Sequence, residues 1–152
     1  MSNIEHTYTT YIRTTPEKLW AAITNPEFAR QYWGGHVNIS DWKKGSEWEH
    51  QSTNDNNLVR VKGKVLESVP PKRLVLTWAD PASLADDSRV TFDLEPIQDM
   101  VRLSIVHGDF KPGSAMSGKV SKGWPLVLSS MKSYLETGKA IDIWAIKRCD
   151  AA

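Results

Sequence analysis

Apolar and polar residues alternate with a period of two through several stretches of the first 108 positions, and with a helical period near residues 16–31 and again from 117 onward. "IEHTYTTYIRT" (4–14) is rich in Thr, Tyr and Ile and reads as a strand. "TTPEKLWAAITN" (14–25) reads as a helix with Thr15 as N-cap, Pro16 in its first position and Leu19, Trp20 and Ile23 as its apolar stripe. Asn25-Pro26 ends it, because a residue before proline is pushed out of the helical region. "EFARQYW" (27–33) is a second short helix, released by Gly34-Gly35.

Strands are expected at "HVNIS" (36–40), "SEWEHQS" (46–52), "LVRVKGKVLESV" (58–69), "RLVLTWA" (73–79), "RVTFDLEP" (89–96) and "MVRLSIVHG" (100–108). The second and third of these flank "TNDNN", which is turn chemistry. Pairing Glu49 with Arg60 brings Trp48 opposite Val61 and Glu47 opposite Lys62, with charges on one face and apolar groups on the other. Phe92 opposite Leu103 and Asp93 opposite Arg102 give the last hairpin the same consistency.

The final strong pattern runs from about Ser117 to Glu136, with Val120, Trp124, Val127, Met131 and Leu135 on one helical stripe. Gly123 and Pro125 interrupt it. A proline inside a helix frees the carbonyl four residues back, here that of Ser121. Two readings remain open: a helix beginning at Pro125, or one beginning near Ser117 and kinked over a cavity with Trp124 in its wall. In either case the apolar faces of the strands need a cover, and this helix is the only element long enough. The fold class is α+β: a curved antiparallel sheet wrapped around a long C-terminal helix, with two short helices near the N-terminus.

The chain has 152 residues, 40% of them hydrophobic and 24% charged, which fits one domain over residues 1–152. A formal charge of +1 with scattered Lys and Arg argues against nucleic acid, which needs clustered positive charge. No segment approaches the roughly 20 apolar residues of a membrane span, and "MSNIEHTYTT" has no apolar run of the signal-peptide kind. The solitary Cys149 suits a reducing, cytoplasmic setting. Half of the 14 aromatic residues are Trp, which raises the question of whether they fill a core or line a pocket.

The stretches "YIRTTPEKLWAAITNPEFARQYW", "GKVLESVPPKRLVLTW", "VTFDLEP", "VRLSIVHGDF" and "GWPLVLSSMKSYLETG" occur in an order that resembles the START-like, or SRPBCC, helix-grip superfamily. More closely, they resemble its branch named for the activator of the 90-kilodalton heat-shock protein ATPase. The resemblance covers most of residues 4–138. It implies a deep cavity between sheet and long helix, of the kind that holds lipids, hormones or polyketides in the superfamily. It also brings a chaperone into view as a partner, although the eukaryotic activator engages its chaperone with a further N-terminal domain. The tail "KAIDIWAIKRCDAA" (139–152) lies beyond the patterned region, and its alternating "IDIWAI" suggests an added edge strand or a contact in a homodimer.

The residues expected to bind an apolar small molecule or lipid are Trp48, Trp78, Phe92, His107, Trp124, Leu128 and Met131. His107 ends the apolar face of its strand, either as a polar group for a ligand or as a core histidine bonded to a carbonyl. His50 shares a face with Trp48 and lies either in the cavity or exposed beside the turn. His6, His36, His50 and His107 show no metal-ligand spacing, and no cofactor is expected. "GSAMSGK" (113–119) lacks the ending of a phosphate-binding loop. Three function classes follow: a binding protein for apolar small molecules, a cyclase- or hydrolase-type enzyme using His107 in the same cavity, and a chaperone-associated interaction module. The first needs only an inward face of aromatics with a few polar groups.

Overall fold

The computed structural model describes residues 4–151. β1 (His6–Ile12) is followed by α1 (Pro16–Thr24), α2 (Pro26–Tyr32) and β2 (His36–Ile39). Five more strands succeed them: β3 (Glu47–Ser52), β4 (Leu58–Val69), β5 (Arg73–Trp78), β6 (Ser88–Ile97) and β7 (Met100–Gly108). The long helix α3 (Ala115–Thr137) and a terminal helix α4 (Ile143–Ala151) complete the chain. The strands form one seven-stranded antiparallel sheet in the order β1-β7-β6-β5-β4-β3-β2. This curled sheet grips α3, the expected α+β helix-grip architecture.

The helix ends form where local chemistry places them. Thr15 accepts a hydrogen bond from the Lys18 N–H, and Asn25 both closes α1 and caps α2 through the Glu27 N–H. Ser114 caps α3, and Gly138 ends it in the left-handed region at φ 80°. α3 runs unbroken through Gly123 and Pro125, so the helix does not begin at the proline. The carbonyl orphaned by Pro125 is that of Ser121, and the Tyr8 hydroxyl of β1 donates to it at 3.3 Å. Pro125 itself lies on the exposed side. Tyr8→Phe should therefore cost about 1 kcal/mol, measurable as a shift in urea midpoint; an unchanged midpoint would mean that water serves this carbonyl equally well.

Both hairpin registers differ from expectation by two residues. Glu49 pairs with Lys62 and Glu47 with Lys64, and a bulge between His50 and Gln51 takes up the slack beside the turn. In the last hairpin Phe92 faces Ile105 and Leu94 faces Leu103, because the turn is the two-residue Gln98-Asp99 with Gln98 at φ 55°. A shift of two preserves the faces, so the inward set is as expected. The outer ion pairs are redistributed: Arg102 pairs with Glu95, and Arg73 bridges Asp93 at 2.9 Å and Glu67 at 3.2 Å.

The tail does not form the expected edge strand. Asp142 caps a helix instead, its carboxylate accepting from the Trp144 and Ala145 N–H groups at 3.1 Å. Helix α4 turns Ile143 into the core, while Trp144 stays partly exposed and donates its indole N–H to the Gly34 carbonyl at 2.9 Å. The Ser130 hydroxyl, on α3, bonds both the N–H and the carbonyl of Ile141 and fixes the approach.

Along β6, β7 and β1 the sheet closes tightly on α3. Phe92, Leu94, Leu103, Ile105, Leu128 and Met131 belong to one continuous buried core. On the other side, Gly63 of β4 makes room for β5: a Cβ there would stand 2.0 Å from the Thr77 carbonyl oxygen. That same carbonyl accepts the Trp48 indole N–H at 2.8 Å.

Candidate functional site

Where α3 passes the β2–β5 half of the sheet, the core is not filled. A cavity of about 530 Å³ lies there, within the range of small-molecule sites. Met116, Val120, Gly123, Trp124 and Val127 of α3 form one wall. Their spacing is one helical stripe, and Gly123 supplies its gap: a Cβ built on Gly123 meets nothing within 4 Å. His50 and Ser52 of β3, Val61 of β4 and Trp78 of β5 form the opposite wall. Trp33 and His36 close one end, and Ile143, Trp144 and Lys147 of α4 cover the top.

The walls are a connected aromatic surface. The Trp124 ring stands 5.8 Å from Trp33, 5.5 Å from Trp78 and 5.9 Å from Phe92. His50 lies 4.6 Å from Trp33 and stacks on His36 at 4.9 Å. Such tilted and offset pairs are the favoured aromatic arrangements.

Two polar chains hold these rings in place. In the first, the Trp124 indole N–H donates to His107 Nδ1 at 3.0 Å. His107 Nε2 must then carry the ring's proton and donate to the Ser88 hydroxyl at 2.8 Å, and Ser88 donates to the Trp78 carbonyl at 3.2 Å. Burial, with a smaller contribution from nearby His6, lowers the His107 pKa to about 3. His107 is thus a neutral core histidine, one of its two expected roles, although its partners are side chains rather than a carbonyl.

In the second chain, Asn38 donates to the Ile23 carbonyl at 3.1 Å and accepts from His50 Nδ1 at 2.7 Å. His50 is therefore the Nδ1–H tautomer, and its Nε2 lone pair has no partner among the described residues. Burial first, then the neighbouring His36, lowers its pKa to about 3. His36 is lowered too, by burial and by the charges of Arg60 and Lys147. The Trp78 indole N–H is buried with no acceptor among the described residues. The cavity wall thus holds one residue with an idle acceptor and another with an idle donor, set among apolar rings.

Of the residues singled out from the sequence, Trp78 and Trp124 line the cavity. Trp48, Phe92, His107, Leu128 and Met131 lie in the packed core beside or behind it, with His107 supporting Trp124 from the rear. His50 is in the wall rather than exposed beside the turn. Trp33, His36, Arg60, Trp144 and Lys147 were not among the expected site residues. Trp33 follows the end of α2, and Trp144 sits in a tail whose alternation suits a strand rather than the helix that forms. Gly123 on an otherwise apolar stripe was the residue-level signal that pointed to open space.

No helix among the described residues is long and apolar enough to cross a membrane, and no group of three or more potential metal ligands occurs among them. No curated protein matches the chain. Among solved structures, the HSP90 activator PFC0360w of Plasmodium falciparum superposes with a TM-score of 0.72 at 18% identity, over 86% of this chain and 95% of that one. CalU16 of Micromonospora echinospora gives 0.72 at 19% identity, over 90% and 78% of the two chains. The Aha1 dimer of Colwellia psychrerythraea gives 0.68 at 23% identity, over 92% and 100%. At these identities the likeness concerns the fold. The family model described as activator of Hsp90 ATPase homolog 1-like protein matches residues 13–136, which span both short helices, the sheet from β2 to β7 and nearly all of α3. The chain belongs to that family.

Proposed function

We propose that this protein binds a small, largely apolar molecule in the cavity between α3, α4 and the β2–β5 half of the sheet. The observation that carries the reading is the unfilled 530 Å³ space walled by Trp33, Trp78 and Trp124. Apolar walls with a few polar groups are the usual constitution of a small-molecule site. The idle His50 Nε2 supplies orientation: a ligand group able to donate to it gives that acceptor a partner. Binding is favoured over catalysis because His50 is held neutral by burial and oriented by an amide, not by a carboxylate. The likeness to a chaperone activator is one of fold, and nothing in the cavity depends on it.

The test uses Gly123. N-phenyl-1-naphthylamine, a neutral fluorescent probe, should bind the parent protein with enhanced emission. Gly123→Leu should abolish that binding, since the new side chain enters open space between Val120 and Val127. It should also raise stability by about 1 kcal/mol, the helix-propensity gain over glycine. A parent that does not bind the probe, or a Gly123→Leu variant that binds it as tightly as the parent, would overturn the reading.

A further inference from the structure

The rim of the cavity has a sign. Arg60 of β4, Lys119 of α3 and Lys147 of α4 all line it, against a single lining carboxylate, Asp80. They come from three elements far apart in sequence, so only the fold gathers them. Along the chain the same charges look scattered, in keeping with a formal total of only +1. Their carboxylate partners neutralise them incompletely. Lys119 reaches Asp80 only at 3.7 Å, and Arg60 meets Asp55 at 3.1 Å with both side chains about half exposed. Lys147 places its ammonium 4.7 Å from the centre of the Trp144 ring.

The positive field extends inward. Arg60 and Lys147 both act on His36, which stacks on His50 within the wall. Low-dielectric walls focus such a field and raise the local concentration of oppositely charged ligands. A cationic ligand, the usual guest of an aromatic cage, would meet three like charges here. An anion would meet their attraction. The polar side chains of Asn54 at the same rim and of Ser52 in the wall below it offer hydrogen bonds to anionic oxygens.

We propose that the ligand is a flat, ring-bearing organic anion of the carboxylate or sulfonate kind. Its rings lie among Trp33, Trp78 and Trp124, and its charged end lies at the rim among Arg60, Lys119 and Lys147. The ring-shaped body follows from the walls, because tilted indoles accept planar faces and edges better than a flexible chain. This assignment rests on the binding reading above and adds the charge and shape of the occupant.

Two probes sharing one skeleton test it. N-phenyl-1-naphthylamine is neutral, and 1-anilinonaphthalene-8-sulfonate is the same molecule with a sulfonate. The sulfonate should bind about tenfold more tightly at ~10 mM ionic strength and lose most of that advantage near ~1 M salt. In the double variant Lys119→Gln/Lys147→Gln the ratio of the two affinities should fall toward one. In the control Lys18→Gln/Lys72→Gln, which removes the same charge from exposed positions outside the cavity, the ratio should hold. If the neutral probe binds but the sulfonate binds no better, the anion assignment falls while the cavity reading stands. An equal loss of ratio in the control would also overturn it, since net charge alone would then explain the preference. If neither probe binds, both readings fail together.

Discussion

Lowering the pH from 6.5 to 5 is expected to remove about 3 kcal/mol of folding stability, before most carboxylates begin to titrate. The cause is the pair of buried neutral histidines. His50 and His107 each have a folded pKa of about 3, against the ordinary value near 6.5 in the unfolded chain. Below 6.5 the unfolded state takes up protons that the folded state refuses, so stability is complete above that value and declines as pH falls toward 3. Each histidine contributes a slope of about 1.4 kcal/mol per pH unit, and the two together about 2.7. Against a total of roughly 5–15 kcal/mol for an ordinary domain, a loss on this scale is a substantial fraction of the whole. Urea midpoints at pH 7, 6 and 5 measure it directly. His107→Gln should lower stability at neutral pH yet roughly halve the slope, because the variant no longer binds a proton there. A stability that stays flat between pH 7 and pH 5 would show that both rings open to water and protonate without cost.

Trp124→Ala is expected to cost about 3–5 kcal/mol, the range for removing a large aromatic from a core. From the sequence, wall and core were alternatives for this residue. The structure makes Trp124 both: one part of the ring faces the cavity, while the rest touches Phe92 and Trp78 and its N–H is taken by His107. Truncation therefore removes packing and also strands His107 Nδ1 in a dry environment. Trp124→Phe separates the two contributions. It keeps most of the ring contacts and loses only the donor, so its cost should be about 1–3 kcal/mol. If alanine costs no more than phenylalanine, the indole's packing contributes little and its hydrogen bond is the dominant element.

The fold was legible because its signals are local. Thr15-Pro16, Asn25-Pro26 and Gly138 mark helix ends through backbone chemistry that depends on no distant partner. Alternation assigns each strand residue to a face, and a register error of two leaves that assignment intact. The register itself was misread because it depends on where a turn closes. Gln98-Asp99 was expected to include Ile97, and the bulge after His50 has no sequence mark.

The site was half legible for a related reason. Periodicity says which side chains point inward, not whether the inside is full. Phe92 and Trp78 sit on the same face of the sheet, yet only Trp78 borders open space. What separates them is the missing side chain at Gly123 and the docking of α4, which brings Ile143, Trp144 and Lys147 over the gap. The first was visible in the sequence. The second was not, because "IDIWAI" has an alternation that suits a strand, and the Asp142 cap that turns it into a helix is one residue among several plausible starts.

The spacing of the cavity's indoles also makes the protein its own optical instrument. Trp33, Trp124 and Trp78 form a chain with centroid separations of 5.8 and 5.5 Å, and Trp48 extends it at 5.2 Å from Trp78. Transitions in rings so close and so tilted mix, and excitation of one is shared by its neighbours. A single ligand among them then reports on several chromophores at once, in emission and in near-ultraviolet dichroism, without any label being attached.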